Sequence, residues 1–290
     1  MTQTQESLQR RIATVQDLGA VVRTMKALSG ATIRQYENAA TAVGEYYRTV
    51  ELGLRAVLHG VPLPRLPHRP PDAAVGVIVI GSDHGLCGRF NELIVQHAVD
   101  ELKQLPPAPH YALAVGAQVQ MRLDELQCPV TLSLPTPGSV TAMTRTVEQL
   151  LLEIDRWRSQ EKVFEVLLVH HSPTGRSLYR AQSMRLLPVD FRHFRPLGEQ
   201  PWPGRSLPYF SQDRAALLAA LIRQYFLVML FRACAESLAC EHAARLAVMQ
   251  RADKNIAEHL QVLNNQYRQQ RQSAITEELQ DIIAGGLYLD

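Results

Sequence analysis

The sequence predicts an α/β protein in which two long helices, one at each end of the chain, pack as an antiparallel coiled coil and flank a Rossmann-like α/β domain. Three observations predict this fold class: the placement of the prolines, a regular apolar stripe, and alternating strand-like and helix-like segments. All 17 prolines lie between Pro62 and Pro208. Because proline removes a helix hydrogen bond and clashes with the preceding turn, residues 1–61 and 209–290 are free to form long helices.

The first predicted domain, residues 1–61, is an N-terminal coiled-coil helix marked by a regular stripe. Fifteen positions follow an alternating four-three spacing, and twelve of them are apolar or aromatic. This spacing is the seam of a left-handed coiled coil. The seam weakens at Gly19, Lys26 and Ser29. Its positions are 8, 12, 15, 19, 22, 26, 29, 33, 36, 40, 43, 47, 50, 54 and 57.

The last predicted domain, residues 209–290, is a C-terminal coiled-coil helix expected from Tyr209 to Ile283. Apolar residues are dense up to Met249, and beyond it a thin seam remains at Ile256, Leu260, Leu263 and Tyr267. A helix that is polar on most faces either protrudes or lies in a polar-lined sleeve. Its apolar stripe needs a partner, which is the first helix packed antiparallel. Gly285 and Gly286 are expected just past its end.

The remaining domain, residues 72–194, alternates short apolar runs with helical segments. This alternation predicts a parallel α/β sheet. The main helices are expected at Asn91–Leu105 and Val140–Trp157, an additional strand at 177–188, and a proline-rich connection at 194–210. The other expected strands are 75–81, 111–116, 130–134 and 164–171.

The bulk composition excludes several classes of protein. A net charge of +2, from 30 basic and 28 acidic residues, indicates no polyanion partner such as nucleic acid. Four cysteines without CxxC spacing predict a reduced, cytosolic chain, and no signal peptide is expected because the N-terminal charges are not followed by an apolar segment. The most apolar run, "QYFLVMLF" (224–231), is too short to cross a bilayer as a helix, which needs about 20 residues. Membrane association is therefore expected only through partners.

The stretch "GSDHGLCGRFN", from Gly81 to Asn91, is the strongest candidate for chemistry of its own. It lacks the Lys and the metal-binding hydroxyl of a P-loop, because Gly88 is followed by Arg89 and Phe90, and it has no GxGxxG. A structural corner between strand and helix is therefore favoured over a phosphate site. For His84 and Cys87, packing is favoured over a nucleophile with its base, which would need a third orienting group.

The other histidines and cysteines make no clear site. His170 and His171 end a strand, where adjacent side chains point to opposite faces, which is poor geometry for joint metal ligation. Cys234 and Cys240 are six residues apart on a helix and point in nearly opposite directions, so they cannot form an intrahelical disulfide. The residues therefore indicate no catalytic constellation and no metal or cofactor site.

Four collinear stretches, spread over essentially the whole chain, match one known family. They are "RRIATVQDLGAVVRTMKAL" (10–28), "SDHGLCGRFN" (82–91), "ESLACEHAARLAVMQRADKN" (236–255) and "YRQQRQSAITEELQDIIAGG" (267–286). The first resembles the N-terminal helix of the F-type ATP synthase gamma subunit, the second its central SD-GLCG-FN loop, and the last two its C-terminal helix.

The resemblance implies a rotor shaft. In the family, the two terminal helices form an antiparallel coiled coil inside a ring of alternating alpha and beta subunits, and the α/β domain sits at the foot beside the epsilon subunit and the membrane c-ring. Shaft orientation gives the catalytic sites on the beta subunits different conformations, which couples ion flow to ATP synthesis or hydrolysis. The chain is then expected to have no catalytic site or cofactor of its own, and to lie at the cytoplasmic face of the bacterial inner membrane.

The resemblance assigns roles to two sets of residues. One set is expected to contact the beta subunits: Met25, Glu241, Arg245, Arg271, Gln272, Thr276 and Glu278. Within it, Arg271 and Gln272 would meet a catch loop, and Met25 and Arg245 would lie near moving levers. The other set forms the loop as a fold corner: Ser82, Asp83, Gly85, Leu86, Cys87, Gly88 and Asn91.

The sequence departs from the family pattern at several positions. Thr32 stands where Lys is usual, His84 where Arg is common, and the end "GGLYLD" is unusual. These departures resemble a divergent bacterial form associated with sodium transport. The plant-type regulatory insertion with its Cys pair is absent, so thiol control is not expected.

Two other interpretations stay open. A nucleotide-dependent α/β enzyme using the Gly81–Asn91 loop predicts ligand binding by the isolated chain. A coiled-coil adaptor unrelated to ATP synthesis predicts tolerance of polar substitutions at Arg271 and Gln272, since only the seam would matter.

Overall fold

A computed structural model describes residues 5–61, 66–128, 130–174, 178–194 and 209–286, and its architecture confirms the predicted α/β class. The proline-rich connection predicted at 194–210 lies almost entirely outside the described residues. Within the described ranges, the elements are α1 (Gln5–Leu58), β1 (Ala74–Ile80), α2 (Phe90–Gln104), β2 (His110–Val115), α3 (Ala117–Glu125), β3 (Val130–Leu134), α4 (Val140–Gln160), β4 (Val163–Ser172), β5 (Arg180–Leu187), a 3₁₀ helix (Phe191–Phe194) and α5 (Arg214–Gly286).

The chain divides into two compact units. The smaller unit comprises Met1–Gly30 and Arg245–Asp290, and the larger unit comprises Ala31–Ala244. The helices α1 and α5 contribute residues to both units. The predicted division into segments 1–61, 72–194 and 209–290 stays a prediction.

The larger unit is built on a five-stranded sheet in the order β3-β2-β1-β4-β5. The first four strands are parallel, as the alternation of strands and helices predicts. β5, the additional strand expected at 177–188, pairs antiparallel with β4. β1 lies at the centre and is buried along its whole length, as expected for a strand covered on both faces.

Helices cover both faces of the sheet and bury two apolar clusters. On one face, α4 and α5 pack against Ile78 and Leu168, and the Trp157 side chain is fully buried there. On the other face, α2 and α3 pack against Val77 and Val79. Burying a large apolar side chain of this kind contributes about 1.5–3 kcal/mol to stability. The loop after β1 therefore starts from a strand that is buried in a three-layer core.

The two terminal helices pack antiparallel within the larger unit. The Tyr36 ring stacks on His242 at 5.8 Å between centroids, and Tyr36 Oη donates to Pro137 O at 2.9 Å. Further along, Arg214 Nη1 donates to Val57 O at 2.6 Å. Residues with higher numbers on α1 therefore contact residues with lower numbers on α5. This is the antiparallel pairing that the apolar stripes predict.

The same antiparallel pairing occurs within the smaller unit. Gln5 Nε2 donates to Tyr267 Oη at 3.2 Å, and Lys26 Nζ donates to Asp253 Oδ2 at 2.9 Å. Every predicted seam position on α1, in this unit and in the larger one, is buried or partly buried. The thin seam on α5 is also present, with Leu263 only 2% exposed.

Three local features differ from expectation. The helix α3 has no counterpart in the prediction, which named only the two longer helices of the domain. α5 begins at Arg214 rather than at Tyr209. It also continues through Gly285 and Gly286, which were expected just past its end. Glycine lowers helix propensity by about 1 kcal/mol but does not forbid the helical conformation, so a glycine pair need not terminate a helix.

One helix in the described part of the chain is long and apolar enough to cross a membrane. This helix is α5. Its residues Arg214–Asp281 contain an 18-residue stretch with a mean hydropathy of 1.6, and 28% of that stretch is buried. The eight-residue run considered in the sequence is extended here by neighbouring alanines and leucines. This is weak evidence for a span, because the core helix of a globular protein passes the same test of length and composition.

Candidate functional site: the glycine loop and the paired helices

The loop between β1 and α2 closes on itself through hydrogen bonds. Ser82 N donates to Asn91 Oδ1 at 3.0 Å, and Asn91 Nδ2 donates to Ser82 Oγ at 2.7 Å. Ser82 Oγ in turn donates to His84 O at 2.9 Å. Ser82 is fully buried and Asn91 is 5% exposed. These bonds join the end of the strand to the first turn of α2, so the polar groups at the base of the loop serve its own structure.

Asp83 ties this loop to the loops that follow β2 and β3. Its Oδ1 accepts from Ala117 N at 2.9 Å, at the first turn of α3. Its Oδ2 accepts from Thr136 N at 2.9 Å and from Thr136 Oγ1 at 2.7 Å. A carboxylate at a helix N-terminus is favourable because it meets the positive end of the helix dipole. It also fills the position that an anion would take. This geometry supports a fold corner rather than a phosphate site.

The rest of the loop shows a division between exposed and buried residues. Leu86 is 57% exposed and has a φ of 62°, and Gly88 has a φ of 65°. Cys87 between them is 2% exposed and packs with Phe90, Cys240 and Ala244. The loop therefore turns through left-handed conformations that place the small thiol in the core, as the packing interpretation of Cys87 requires.

The contacts of the Cys87 thiol support the packing interpretation over a nucleophile paired with His84 as its base. The Cys87 sulfur lies 3.7 Å from Ser82 Oγ and 3.6 Å from Asn91 Nδ2, and it donates to the backbone oxygen of His84 at 3.8 Å. The structure thus surrounds the thiol with the same groups that close the loop. A buried thiol of this kind serves packing.

His170 and His171 face opposite sides of the sheet, as the strand geometry predicts. His171 Nε2 donates to Phe90 O at 2.9 Å, and its ring packs against Tyr179. His170 Nε2 lies 2.8 Å from Gln182 Nε2 and 3.6 Å from Glu236 Oε2. Across the ranges that the structure describes, no group of three or more His, Cys, Asp or Glu residues is arranged to hold a metal ion.

The sequence did not reveal the polar cluster around His170. Glu236 accepts from Arg232 at 2.7 Å, one turn earlier on α5, and lies close to His170 on β4. Arg232 and Glu236 are four residues apart on a helix, and this spacing alone could have predicted their ion pair. Nothing local in the sequence connects this pair to His170, because strand and helix meet only in the folded core.

Burial of His171 makes the larger unit sensitive to acid. Burial lowers its pKa to about 4 from the ordinary 6.5, against the hydrogen bond to Phe90 O, which raises it. Between pH 6.5 and 4 the unfolded chain therefore binds a proton that the folded chain does not. The contribution of neutral His171 is complete above pH 6.5 and is lost as the pH falls toward 4.

We expect a His171→Gln variant to show a weaker pH dependence than the wild type. Between pH 7.5 and 5.0 the wild type should lose about 2 kcal/mol more of its free energy of unfolding than the variant, since each pKa unit is worth about 1.4 kcal/mol. Urea unfolding at the two pH values measures this difference. Equal changes in the free energy of unfolding between the two pH values for His171→Gln and wild type would contradict a buried, neutral His171.

The predicted contact residues fall into exposed and buried groups. Arg271, Gln272, Thr276 and Glu278 are exposed on the last turns of α5 in the smaller unit, and Thr276 Oγ1 donates to Gln272 O at 2.9 Å. Met25 and Arg245 are half-buried in the same unit. Their contacts with a partner stay predictions.

Glu241 stands apart from the other predicted contact residues. It belongs to the larger unit and is 5% exposed. The pKa of Tyr36 is raised by burial and, to a lesser extent, by the charge of Glu241, which places the carboxylate near that ring. A residue this deeply buried presents little surface to a partner, so a direct contact from Glu241 is the least supported member of the set.

Comparison with known proteins identifies relatives over nearly the full length. A sequence model of the family described as ATP synthase matches residues 4–287. The ATP synthase gamma chain of Desulforamulus reducens is 28% identical over 288 residues, which cover 98% of each chain. That of Nostoc is 26% identical and covers 97% of each chain.

Solved structures share the fold. A chain in the cryo-EM structure of the Euglena gracilis mitochondrial ATP synthase, comprising OSCP, F1 and c-ring, aligns with a TM-score of 0.65 at 16% identity. The alignment covers 98% of this chain and 94% of that one. At this identity the similarity concerns the fold.

Proposed function

The chain belongs to the ATP synthase gamma-chain family, and from that premise we propose that it is the rotating central shaft of an F-type ATP synthase, coupling transmembrane ion flow to ATP synthesis or hydrolysis. The observation that carries the proposal is the match over residues 4–287, which includes both terminal helices and the α/β domain. A partial match to the α/β domain alone would not have distinguished a shaft from the many other uses of such a fold.

The surface of the smaller unit supports a shaft that turns within a sleeve. Of the described side chains from position 250 to 281, only Leu263 is buried. The remaining surface of α5 is mostly polar, whereas a permanently docked helix would present a wide apolar face to its partner. Weak adhesion of this kind suits a part that changes neighbours as it rotates.

We propose the alpha and beta subunits, the epsilon subunit and the membrane c-ring as partners. The solved relative is a chain in an assembly that contains F1 and a c-ring, which supports the first and last of these. The near-neutral charge of the chain gives no support for nucleic acid as a partner. Attachment through this complex would place the chain at the cytoplasmic face of the bacterial inner membrane.

Catalysis would then belong to the beta subunits and not to this chain. The hydrogen bonds of Ser82, Asp83 and Asn91 support this proposal, because they use the polar groups of the glycine loop to join it to α2 and to the loop after β3. In the same scheme, residues 72–194 form the foot of the shaft, and residues 1–61 and 209–290 form its coiled coil. The sodium-associated subtype stays a prediction, since the ion is chosen by the c-ring.

Co-expression with the alpha and beta subunits of the same organism tests the proposal. We expect a complex that co-purifies through a tag on the beta subunit and hydrolyses ATP. When joined to the membrane part in vesicles, it should transport ions during hydrolysis. The chain alone should bind neither ATP nor ADP in calorimetry. Failure to assemble, or nucleotide binding by the isolated chain, would contradict the shaft and favour the α/β enzyme.

A further inference from the structure

A charged pair interrupts the apolar seam of the smaller unit. Lys26 occupies a seam position on α1, and its Nζ lies 2.9 Å from Asp253 Oδ2 on α5. The two side chains are 41% and 26% exposed, so the pair is partly withdrawn from water. Within the predicted stripe from Leu8 to Ser29, Lys26 is the one charged residue. The sequence shows only a weakened seam here, and the structure supplies the partner.

Tightly buried residues stand on either side of this pair. On α1, Val22 precedes Lys26 by one turn and is 7% exposed, and Ser29 follows it and is 2% exposed. On α5, Met249 precedes Asp253 by one turn and is 3% exposed. A displacement of one helix by a single turn, about 5.4 Å, would separate the Asp253 carboxylate from Lys26 Nζ and move it toward these buried side chains. Charged or polar residues at single seam positions specify coiled-coil register for this reason.

We propose that the Lys26–Asp253 ion pair is a positioning element that sets the register of the two helices in the smaller unit and thereby holds Met25 at the correct height along the shaft. This inference rests on the proposed function, because Met25 is a predicted contact with the beta subunits. A twisting load on two antiparallel helices tends to slide one along the other. Each apolar seam contact tolerates some sliding, whereas a slide of one turn separates the charged atoms of the Lys26–Asp253 pair.

Charge reversal and charge exchange test the pair directly. Lys26→Glu puts two carboxylates together, and Lys26→Glu with Asp253→Lys restores an ion pair of opposite polarity. The matched control is Lys254→Glu, which makes the same charge change beside Asp253 on a side chain that is 78% exposed. All variants carry a register reporter, the cysteine pair Gly19→Cys and Ile256→Cys. A Cβ at Gly19 would lie 3.2 Å from Ile256 Cγ2 and 3.2 Å from Arg23 Nη1, so the two thiols are adjacent in the native register, and a slide of one turn, about 5.4 Å, would move them apart.

Two quantities are measured: the yield of the disulfide in the full-length chain under mild oxidation, and the number of ions transported per ATP hydrolysed by the assembled complex in vesicles. Gly19→Cys alone reports any reaction with the native thiols. Lys26→Glu should lower the disulfide yield at least fivefold and the transport ratio at least twofold. The exchanged pair should return both to within a factor of two of wild type, and Lys254→Glu should change neither.

The outcomes separate the inference from the function on which it rests. A disulfide yield unchanged by Lys26→Glu, or not restored by the exchanged pair, would overturn the register role. If the disulfide yield falls in Lys26→Glu and recovers in the exchanged pair while the transport ratio stays constant in both, the ion pair does not act by positioning Met25. A wild-type complex that does not couple hydrolysis to transport would refute the shaft, and the disulfide yields in the chain alone would still decide the register.

Discussion

Gly116→Ala is expected to destabilise the larger unit by about 3 kcal/mol or more, lowering its melting temperature by about 6–12 °C. Gly116 has a φ of 114° and a ψ of 128°, a region of backbone space that is essentially restricted to glycine. An added Cβ would also lie 2.7 Å from the backbone carbon and oxygen of Ser82. Backbone atoms cannot rotate away as a side chain can, and both segments are held in place by hydrogen bonds, from Gly116 N to Leu134 O and from Gln118 N to Ser82 O.

The matched control for this substitution is Gly85→Ala in the loop itself. A Cβ at Gly85 would meet no atom within 4 Å, and a change within about 0.5 kcal/mol is expected. Thermal unfolding of the full-length chain followed by near-ultraviolet circular dichroism measures both variants. If Gly116→Ala melts within 2 °C of Gly85→Ala, the packing of the Gly116 turn against Ser82 is not rigid, contrary to the structure.

The double variant Arg271→Ala, Gln272→Ala should lower the ATP-driven ion transport of the complex about tenfold while leaving the chain folded. Both side chains are exposed, so their removal should change the free energy of unfolding by less than about 0.5 kcal/mol each. A tenfold loss corresponds to about 1.4 kcal/mol, which is the scale at which single residues at an interface become important. Polar side chains on a shaft with little apolar surface are the groups available to transmit torque through direct contacts.

Arg268→Ala, Gln269→Ala is the matched control, because it removes the same residue types from exposed positions one turn earlier on α5. We expect transport within a factor of two of wild type for this control. Assembly measured by co-purification should be normal for both variants. Equal transport in the two double variants would contradict a specific role for Arg271 and Gln272, and would agree with the adaptor interpretation, in which only the seam matters.

Much of the fold was predictable because it follows from local patterns. The four-three stripe on α1 depends on the period of a helix, and the structure buries or half-buries every position of it. β3 lies at the predicted residues, 130–134, and β1 and β2 differ from prediction by one residue at each end. The positions of the prolines and the alternation of strands and helices can be read from short stretches of sequence. The bounds of these elements can therefore be predicted without knowing which distant residues are in contact.

The short helix α3 shows where local patterns become insufficient. It has nine residues, and its first turn follows Gly116 without a side-chain cap from its own neighbourhood. The group that accepts from its first N–H is the carboxylate of Asp83, 34 residues earlier. A helix start of this kind has no sequence signature, because the capping side chain comes from another loop of the same sheet edge.

For the candidate site, too, local sequence patterns did not show which residues are buried. The motifs identified the loop and the exposed residues at the end of α5, but they also included Glu241, which the structure places at 5% exposure near Tyr36. Burial depends on which helix face packs against which neighbour. A motif match transfers a position along the chain, and it carries no information about the depth of that position in this particular core.

The sequence by itself determined the class of fold, the two helical segments with their seams, and the family to which the chain belongs, because periodicity and motifs are properties of residues close together in the chain. Only the tertiary structure decided that Asp83 caps α3, that His171 is buried with its ring hydrogen-bonded to Phe90 O, and that Lys26 meets Asp253. Each of these contacts joins residues between 34 and 227 positions apart. The physical reason is that a charge or a hydrogen-bonding group takes the partner that packing places beside it, and packing is settled by the whole fold.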